Sequence, residues 1–236
     1  MREAKQTSAG IWHFFQERCR SFNSRLALEA PEGKLNFAEL FHGAEHLASD
    51  LSKAGCREGE VMVLALPNSI DFIPSFLALC KLSSAIVLVS PKYGASELHM
   101  VVNSLRPKAM LAPAAAAGEV KEKLGPLAAT VEQIDRSPSA QSIALISLAG
   151  FPTLSGQDGF DAATKGTSLI KVTSGSTGGA KGISLTAKQL LAEARNIAVT
   201  LDLTPEDRIY APVPIFHSYG FDLGVLAMLF SGAPLI

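Results

Sequence analysis

The ten residues from Thr173 to Gly182 combine four glycines, the hydroxyls of Thr173, Ser174, Ser176 and Thr177, and the ammonium of Lys181. Glycines let backbone N–H groups crowd around an oxyanion with no Cβ in the way; hydroxyls add donors, and a lysine adds a compact positive charge. This is the composition of a phosphate-gripping loop, and charge-assisted donors of this kind bind polyphosphate strongly. The spacing excludes the commoner alternatives. A Walker A loop requires Gly-Lys-Ser/Thr, whereas Lys181 stands between Ala180 and Gly182. No dinucleotide fingerprint fits. The run Gly175-Ser176-Thr177-Gly178 lacks the Gly-x-Ser-x-Gly frame of a hydrolase elbow, which makes Ser176 a poor covalent nucleophile. The competing reading is a flexible glycine-rich connector with no ligand.

The elements that must position this loop alternate along the chain. Val61 to Leu66, Ala85 to Val89, Lys108 to Leu111, Ile143 to Leu148, Leu169 to Val172 and Ile209 to Val213 are short runs rich in Val, Ile and Leu, each near a Pro, Gly or Ser, and read as strands. Phe37 to Ala54 carries Leu40, Ala44, Leu47, Ala48 and Leu51 at helical spacing and meets a stop at Gly55. Ser69 to Leu82 is a second helix, with Pro74 in its first turns or at a kink. Ala95 to Ser104, Ala116 to Leu124, Ala187 to Thr200 and Tyr219 to Phe230 follow, while 135–142 and 150–167 read as surface connections. The alternation predicts an α/β fold of largely parallel sheets flanked by helices. The loop is expected to leave the strand at Val172 and run directly towards a helix beginning near Thr186.

With 236 residues and 47% apolar composition the chain can bury a sizeable core. Twenty-one basic residues against 22 acidic ones give no field that favours nucleic acid or an anionic membrane, so phosphate recognition has to be local. Cys19, Cys56 and Cys80 are far apart, odd in number and without metal-ligand spacing; they read as buried thiols in a reducing compartment. Ile11-Trp12-His13-Phe14-Phe15 is too short and broken for a signal peptide, and no run approaches the ~18 apolar residues of a membrane span. A soluble, cytoplasmic protein is expected. His42 and His46 lie four apart but off the apolar helix face, which favours solvent over a metal, and no metal ligands are assigned.

Thr173-Ser174-Gly175-Ser176-Thr177-Gly178-Gly179-Ala180-Lys181-Gly182 resembles the signature loop of the adenylate-forming superfamily, which includes acyl-CoA synthetases, peptide-synthetase adenylation domains and beetle luciferases. Ala180 stands where those enzymes usually carry proline, a change that loosens the turn before Lys181 without removing a donor. Downstream, Pro214-Ile215-Phe216-His217-Ser218-Tyr219-Gly220 is similar to the Pro-x-Phe-His-x-x-Gly segment of acyl-CoA and aryl-CoA synthetases. Leu35-Asn36-Phe37-Ala38-Glu39-Leu40 and Leu82 to Pro91 resemble weaker landmarks, so the likeness spans roughly residues 11–236.

The resemblance implies ATP-dependent activation of a carboxylic acid to an acyl-adenylate, with magnesium, and then capture by a thiol of coenzyme A or of a carrier protein; the alternative is a non-catalytic nucleotide-binding remnant, with Ala180 as its only support in the sequence. It assigns the phosphates to Thr173, Ser174, Gly175, Ser176, Thr177, Gly178, Gly179 and Lys181. His217 is placed beside the incoming carboxylate or reacting phosphate, although a histidine in isolation is more often a satisfied structural residue. Tyr219 and Phe221, with Gly224, either line the acyl pocket or are ordinary core. Fatty and aromatic acids fit equally. The implied organisation is an incomplete N-terminal domain over residues 1–236: a lead-in at 1–60, a first α/β subdomain at 61–168, and the phosphate loop opening a second at 169–236. The apolar run that closes at Ile236 reads as a cut edge. The adenine, ribose and magnesium sites and the mobile C-terminal lid are expected beyond it, so the chain alone is expected to be catalytically silent.

Overall fold

A computed structural model describes residues 9–134, 142–149, 166–174 and 180–236. Helix α1 (Ala9–Phe22) leads into a hairpin of β1 (Leu26–Ala30) and β2 (Gly33–Asn36) and then α2 (Phe37–Lys53). Asn36 starts α2 with reciprocal bonds, its Oδ1 accepting from the Glu39 N–H at 2.8 Å while Glu39 Oε2 accepts from the Asn36 N–H at 2.8 Å. The main sheet follows as β3 (Val61–Leu64), α3 (Phe72–Lys81), β4 (Ala85–Leu88), α4 (Ala95–Leu105), β5 (Ala109–Pro113), α5 (Ala117–Leu124), β6 (Ala128–Ile134) and β7 (Ile143–Leu148). Strand β8 (Thr167–Ser174), strand β9 (Ala180–Thr186) and α6 (Ala187–Thr200) come next. A helical run then closes the chain as α7 (Ser218–Gly220), a π-helical turn at Phe221–Leu226, and α8 (Ala227–Ser231).

The seven strands are ordered β6-β7-β5-β3-β4-β8-β9. The four central strands β5, β3, β4 and β8 pair in parallel, as the aliphatic runs predict, and antiparallel β7 and β6 on one side and β9 on the other complete the sheet. Alternating residues of β3 and β4 send Met62, Leu64 and Ile86 into one core with α1, α2, α3, α6 and the C-terminal helical run. Val61, Val63 and Val87 enter a second core with α4 and α5. The sheet is therefore covered on both faces, which is why its central strands read as continuous aliphatic runs. Pro74 sits at the third position of α3, in the first turn, where its missing N–H costs nothing.

Two expectations need correction. The loop after β8 does not run straight into a helix, because residues 180–186 first form β9, an edge strand paired antiparallel with β8. Gly182 thereby takes a packing role: a Cβ there would approach Ile170 Cγ2 to 2.7 Å. Helix α6 then starts at Thr186, whose hydroxyl accepts from the Gln189 N–H and whose own N–H donates to Gln189 Oε1. The second correction concerns 209–213. Pro212 and Pro214 cannot donate to a ladder, and only Ile209 forms a bridge, to Leu235. Leu235 also bridges Leu28, so residues 234–236 lie between β1 and the 209–211 segment. The strands missed in sequence, β1, β2 and β6, are short or solvent-facing. Most of 135–142 and 150–167 lies outside the described residues.

Cys19, Cys56 and Cys80 are free and buried, as expected. Burial pushes the Cys19 thiol up to about 12 and, with a smaller contribution from Glu60, the Cys56 thiol up to about 11. His42 and His46 are exposed on α2. No helix among the described residues is long and apolar enough to cross a membrane.

Candidate active site

The parallel register of β4 and β8 pairs Ile86 with Leu169 and Val87 with Ile170, bringing the carboxyl ends of both strands to one edge of the sheet. Open α/β sheets bind ligands outside this edge, because the chain turns away there and leaves a crevice. The crevice is present. Leu88, Val89 and Ser90 from the end of β4, Tyr93 beyond it, Lys171 and Val172 from β8, and Phe216, His217 and Ser218 enclose a cavity of about 230 Å³. Thr173 and Ser174 continue β8 past this cavity, and the antiparallel register resumes with Ser174 opposite Ala180 and Thr173 opposite Lys181. Ser174 and Ala180, the described residues on either side of the glycine-rich segment, therefore lie opposite one another beyond the edge where the cleft opens. Gly175, Ser176, Thr177, Gly178 and Gly179 lie outside the described residues, as do the side chains of Thr173, Ser174 and Lys181.

His217 is brought to the cleft by a segment with little regular structure and several specific anchors. Asn68, just past β3, donates through Nδ2 to the carbonyls of Ala211 (3.2 Å) and Val213 (3.1 Å), and its Oδ1 accepts from the Ile215 N–H at 2.8 Å. The two carbonyls it takes belong to the residues before Pro212 and Pro214, which have no N–H with which to join a strand ladder. The His217 N–H donates to the Pro214 carbonyl at 3.0 Å, closing the turn. His217 then caps the helical run, its Nδ1 accepting from the Tyr219 N–H in a long contact of 3.4 Å. A neutral imidazole that accepts at Nδ1 carries its proton on Nε2, so Nε2–H is the donor that remains. Gly220 permits this fold-back: a Cβ there would sit 2.3 Å from the Pro214 carbonyl oxygen.

The three residues singled out along this run separate. His217 is exposed and lines the cleft. Tyr219 is exposed and does not line it. Phe221 is fully buried and packs edge-to-face on Phe76, with centroids 5.0 Å apart, so its ring belongs to the core between α3 and the C-terminal run rather than to the cleft. The apolar spacing that admitted a pocket reading is the spacing of a core-facing helix, and here the core takes it.

Four functional candidates escaped the sequence reading. Asn68 positions the His217 segment; its signal was an amide directly after Leu66-Pro67, at the carboxyl end of a strand. Lys171 is the one charge in β8, flanked by Ile170 and Val172, and its Nζ donates to Asp222 Oδ2 at 2.7 Å. Asp222 follows Phe221 and carried no sequence signal of its own. Tyr93 has its backbone carbonyl held by Lys123 Nζ at 3.1 Å, and burial, helped by Glu97, raises its phenol above the ordinary value, so it remains a donor. The cleft is thus lined by a histidine, a tyrosine and a lysine, side chains that can donate an imidazole N–H, a phenol O–H and an ammonium N–H. These are donors suited to an anionic ligand. Among the described residues no three His, Cys, Asp or Glu side chains cluster as a metal site.

Comparison with known proteins identifies the family and the fold. A family model described as AMP-binding enzyme matches residues 15–236. A probable CoA ligase of Humulus lupulus is 29% identical over 220 residues, covering 89% of this chain and 40% of its own length. A malformin synthetase of Aspergillus niger is 27% identical over 98% of this chain, which spans only 4% of that protein. The solved long-chain-fatty-acid-CoA ligase of Archaeoglobus fulgidus superposes with a TM-score of 0.72 at 23% identity, covering 99% of this chain and 47% of that one. This chain therefore spans well under half the length of the curated relatives it matches.

Proposed function

The chain belongs to the AMP-binding enzyme family, and on that footing we propose that it contributes the phosphate loop and part of the acid site of an enzyme that activates a carboxylic acid with ATP and passes the acyl group to coenzyme A. A carboxylate oxygen attacks the α-phosphorus and the bond to the bridging oxygen breaks, with pyrophosphate leaving on its electron pair. The acyl-adenylate then yields AMP as a thiol sulfur takes the acyl carbon. No protein nucleophile enters either step, so the residues work by alignment and charge neutralisation.

What supports this reading is that β8, which leads into the glycine- and hydroxyl-rich segment, also lines the His217 cleft through Lys171 and Val172 at the carboxyl edge of β4 and β8. The N–H groups of 173–179, the hydroxyls of Thr173, Ser174, Ser176 and Thr177, and the Lys181 ammonium hold the β- and γ-phosphates. The donors fit a polyphosphate by type, four glycines admitting close approach of the backbone. His217 donates through Nε2 to the incoming carboxylate or the reacting phosphate, held there by Asn68. Magnesium, when bound with ATP, would supply positive charge to offset that of the pyrophosphate, and no residue of this chain is assigned as its ligand. Three buried unpaired thiols support a reducing, cytoplasmic setting.

Loading of a carrier protein is the second reading, supported by the match to malformin synthetase over 98% of this chain. Under either reading the 236-residue chain binds polyphosphate without turnover. Calorimetry with ATP and with pyrophosphate, alongside pyrophosphate release over a panel of carboxylic acids, tests this. Binding of both phosphates without release is expected. Absence of any phosphate binding contradicts the site, and acid-dependent release contradicts the silence of the isolated chain.

A further inference from the structure

Lys171 is the one charged residue of β8, and the fold gives it no structural need to be charged. Leu169, two residues earlier and on the same face, is fully buried in the aliphatic core. Lysine and aspartate are rarely placed in such surroundings, and exchanging a part-buried ion pair for apolar residues is commonly neutral or stabilising. The pair is nevertheless present, with Nζ and Oδ2 2.7 Å apart and the two side chains 22% and 20% exposed. Lys171 is among the residues that line the cleft, whereas Asp222 is not. Asp222 Oδ1 is buried with no hydrogen-bond partner among the described residues.

An ammonium has three N–H donors, and Asp222 accepts from one of them. The pair is neutral as a unit, so what it presents to the cleft is directed donors rather than a net positive field. A neutral oxygen acceptor complements such a wall. A saturated alkyl tail would cover the ammonium without giving it an acceptor, at a desolvation cost. We propose that Lys171, oriented by Asp222, reads the tail of the bound carboxylic acid and selects acids bearing a hydroxyl or ketone oxygen over unsubstituted aliphatic acids of the same length. The inference rests on the reading of the cleft as an acid site.

Calorimetric titration of the 236-residue chain with 6-hydroxyhexanoate, hexanoate and adipate tests it. The wild-type chain should favour 6-hydroxyhexanoate over hexanoate by roughly tenfold, the size expected of one hydrogen bond from a charged donor. Lys171→Met should bring that ratio to about one, and so should the double variant Lys171→Met/Asp222→Leu, which leaves no unpaired charge and guards against misfolding. An unchanged ratio in both variants overturns the inference while leaving the acid site standing. Adipate binding far more tightly than 6-hydroxyhexanoate also overturns it, because the wall would then be reading charge. Failure of all three acids to bind overturns the acid-site reading itself and this inference with it.

Discussion

Up to Ile170 the residues of β8 are sealed between two helical layers; from Lys171 onward the same strand lines a cleft and then enters the glycine-rich turn. The helical run at the C-terminus makes the same change within two residues, Phe221 in the core and Asp222 paired with Lys171. Residues on the inner side of this line are chosen for volume. Those on the outer side are chosen for donors and acceptors. The fold thus fixes where the cleft must open before any residue in it is considered, because β4 ends at the carboxyl edge of the parallel strands while β8 runs on past it.

Substitutions on either side of the line should behave differently. Phe221→Ala should have the largest effect on stability, about 3–5 kcal/mol for loss of a fully buried ring, measured by denaturant unfolding. Asn68→Ala strips three hydrogen bonds from the His217 segment and should cost about 1–3 kcal/mol. It should also weaken carboxylate binding more than it weakens pyrophosphate binding; equal loss of both would mean that Asn68 serves only the fold. Gly220→Ala forces a Cβ against the Pro214 carbonyl and should cost about 1–3 kcal/mol, read in the same unfolding series. Thr186→Ala removes one helix cap, remote from the cleft, and should cost about 1 kcal/mol while leaving ligand binding unchanged.

A further effect concerns pH. Burial raises the folded-state pKa of Cys19 to about 12 and that of Cys56 to about 11, above the ordinary 9.0. The unfolded chain releases these protons first, so stability should be level below pH 9 and fall as pH rises from 9 through 11 and towards 12. Denaturant midpoints across that range, compared with those of a Cys56→Ala variant, measure the contribution. A midpoint that rises with pH would contradict the burial of these thiols.

The sequence carried much of the central sheet because its strands are buried on both faces and appear as uninterrupted aliphatic runs. Helix α2 was legible to within one residue through its apolar spacing. β9 was not, because Gly182 and Lys181 read as loop chemistry, and only the pairing with β8 shows that Gly182 serves close packing against Ile170. His217 was visible through the residues around it, whereas Asn68 lies 149 positions earlier in the numbering and acts through main-chain groups, which no motif records. Phe221 and Asp222 are adjacent in sequence and opposite in role. Helical periodicity alone could not separate them, since both lie at the boundary where a core face turns into a cleft wall.

Amide hydrogen exchange across residues 173–182, with and without magnesium pyrophosphate, tests the phosphate-binding claim most directly. Protection confined to this turn, and lost in Lys181→Met, is the predicted result. Protection elsewhere, or none at saturating pyrophosphate, would contradict it.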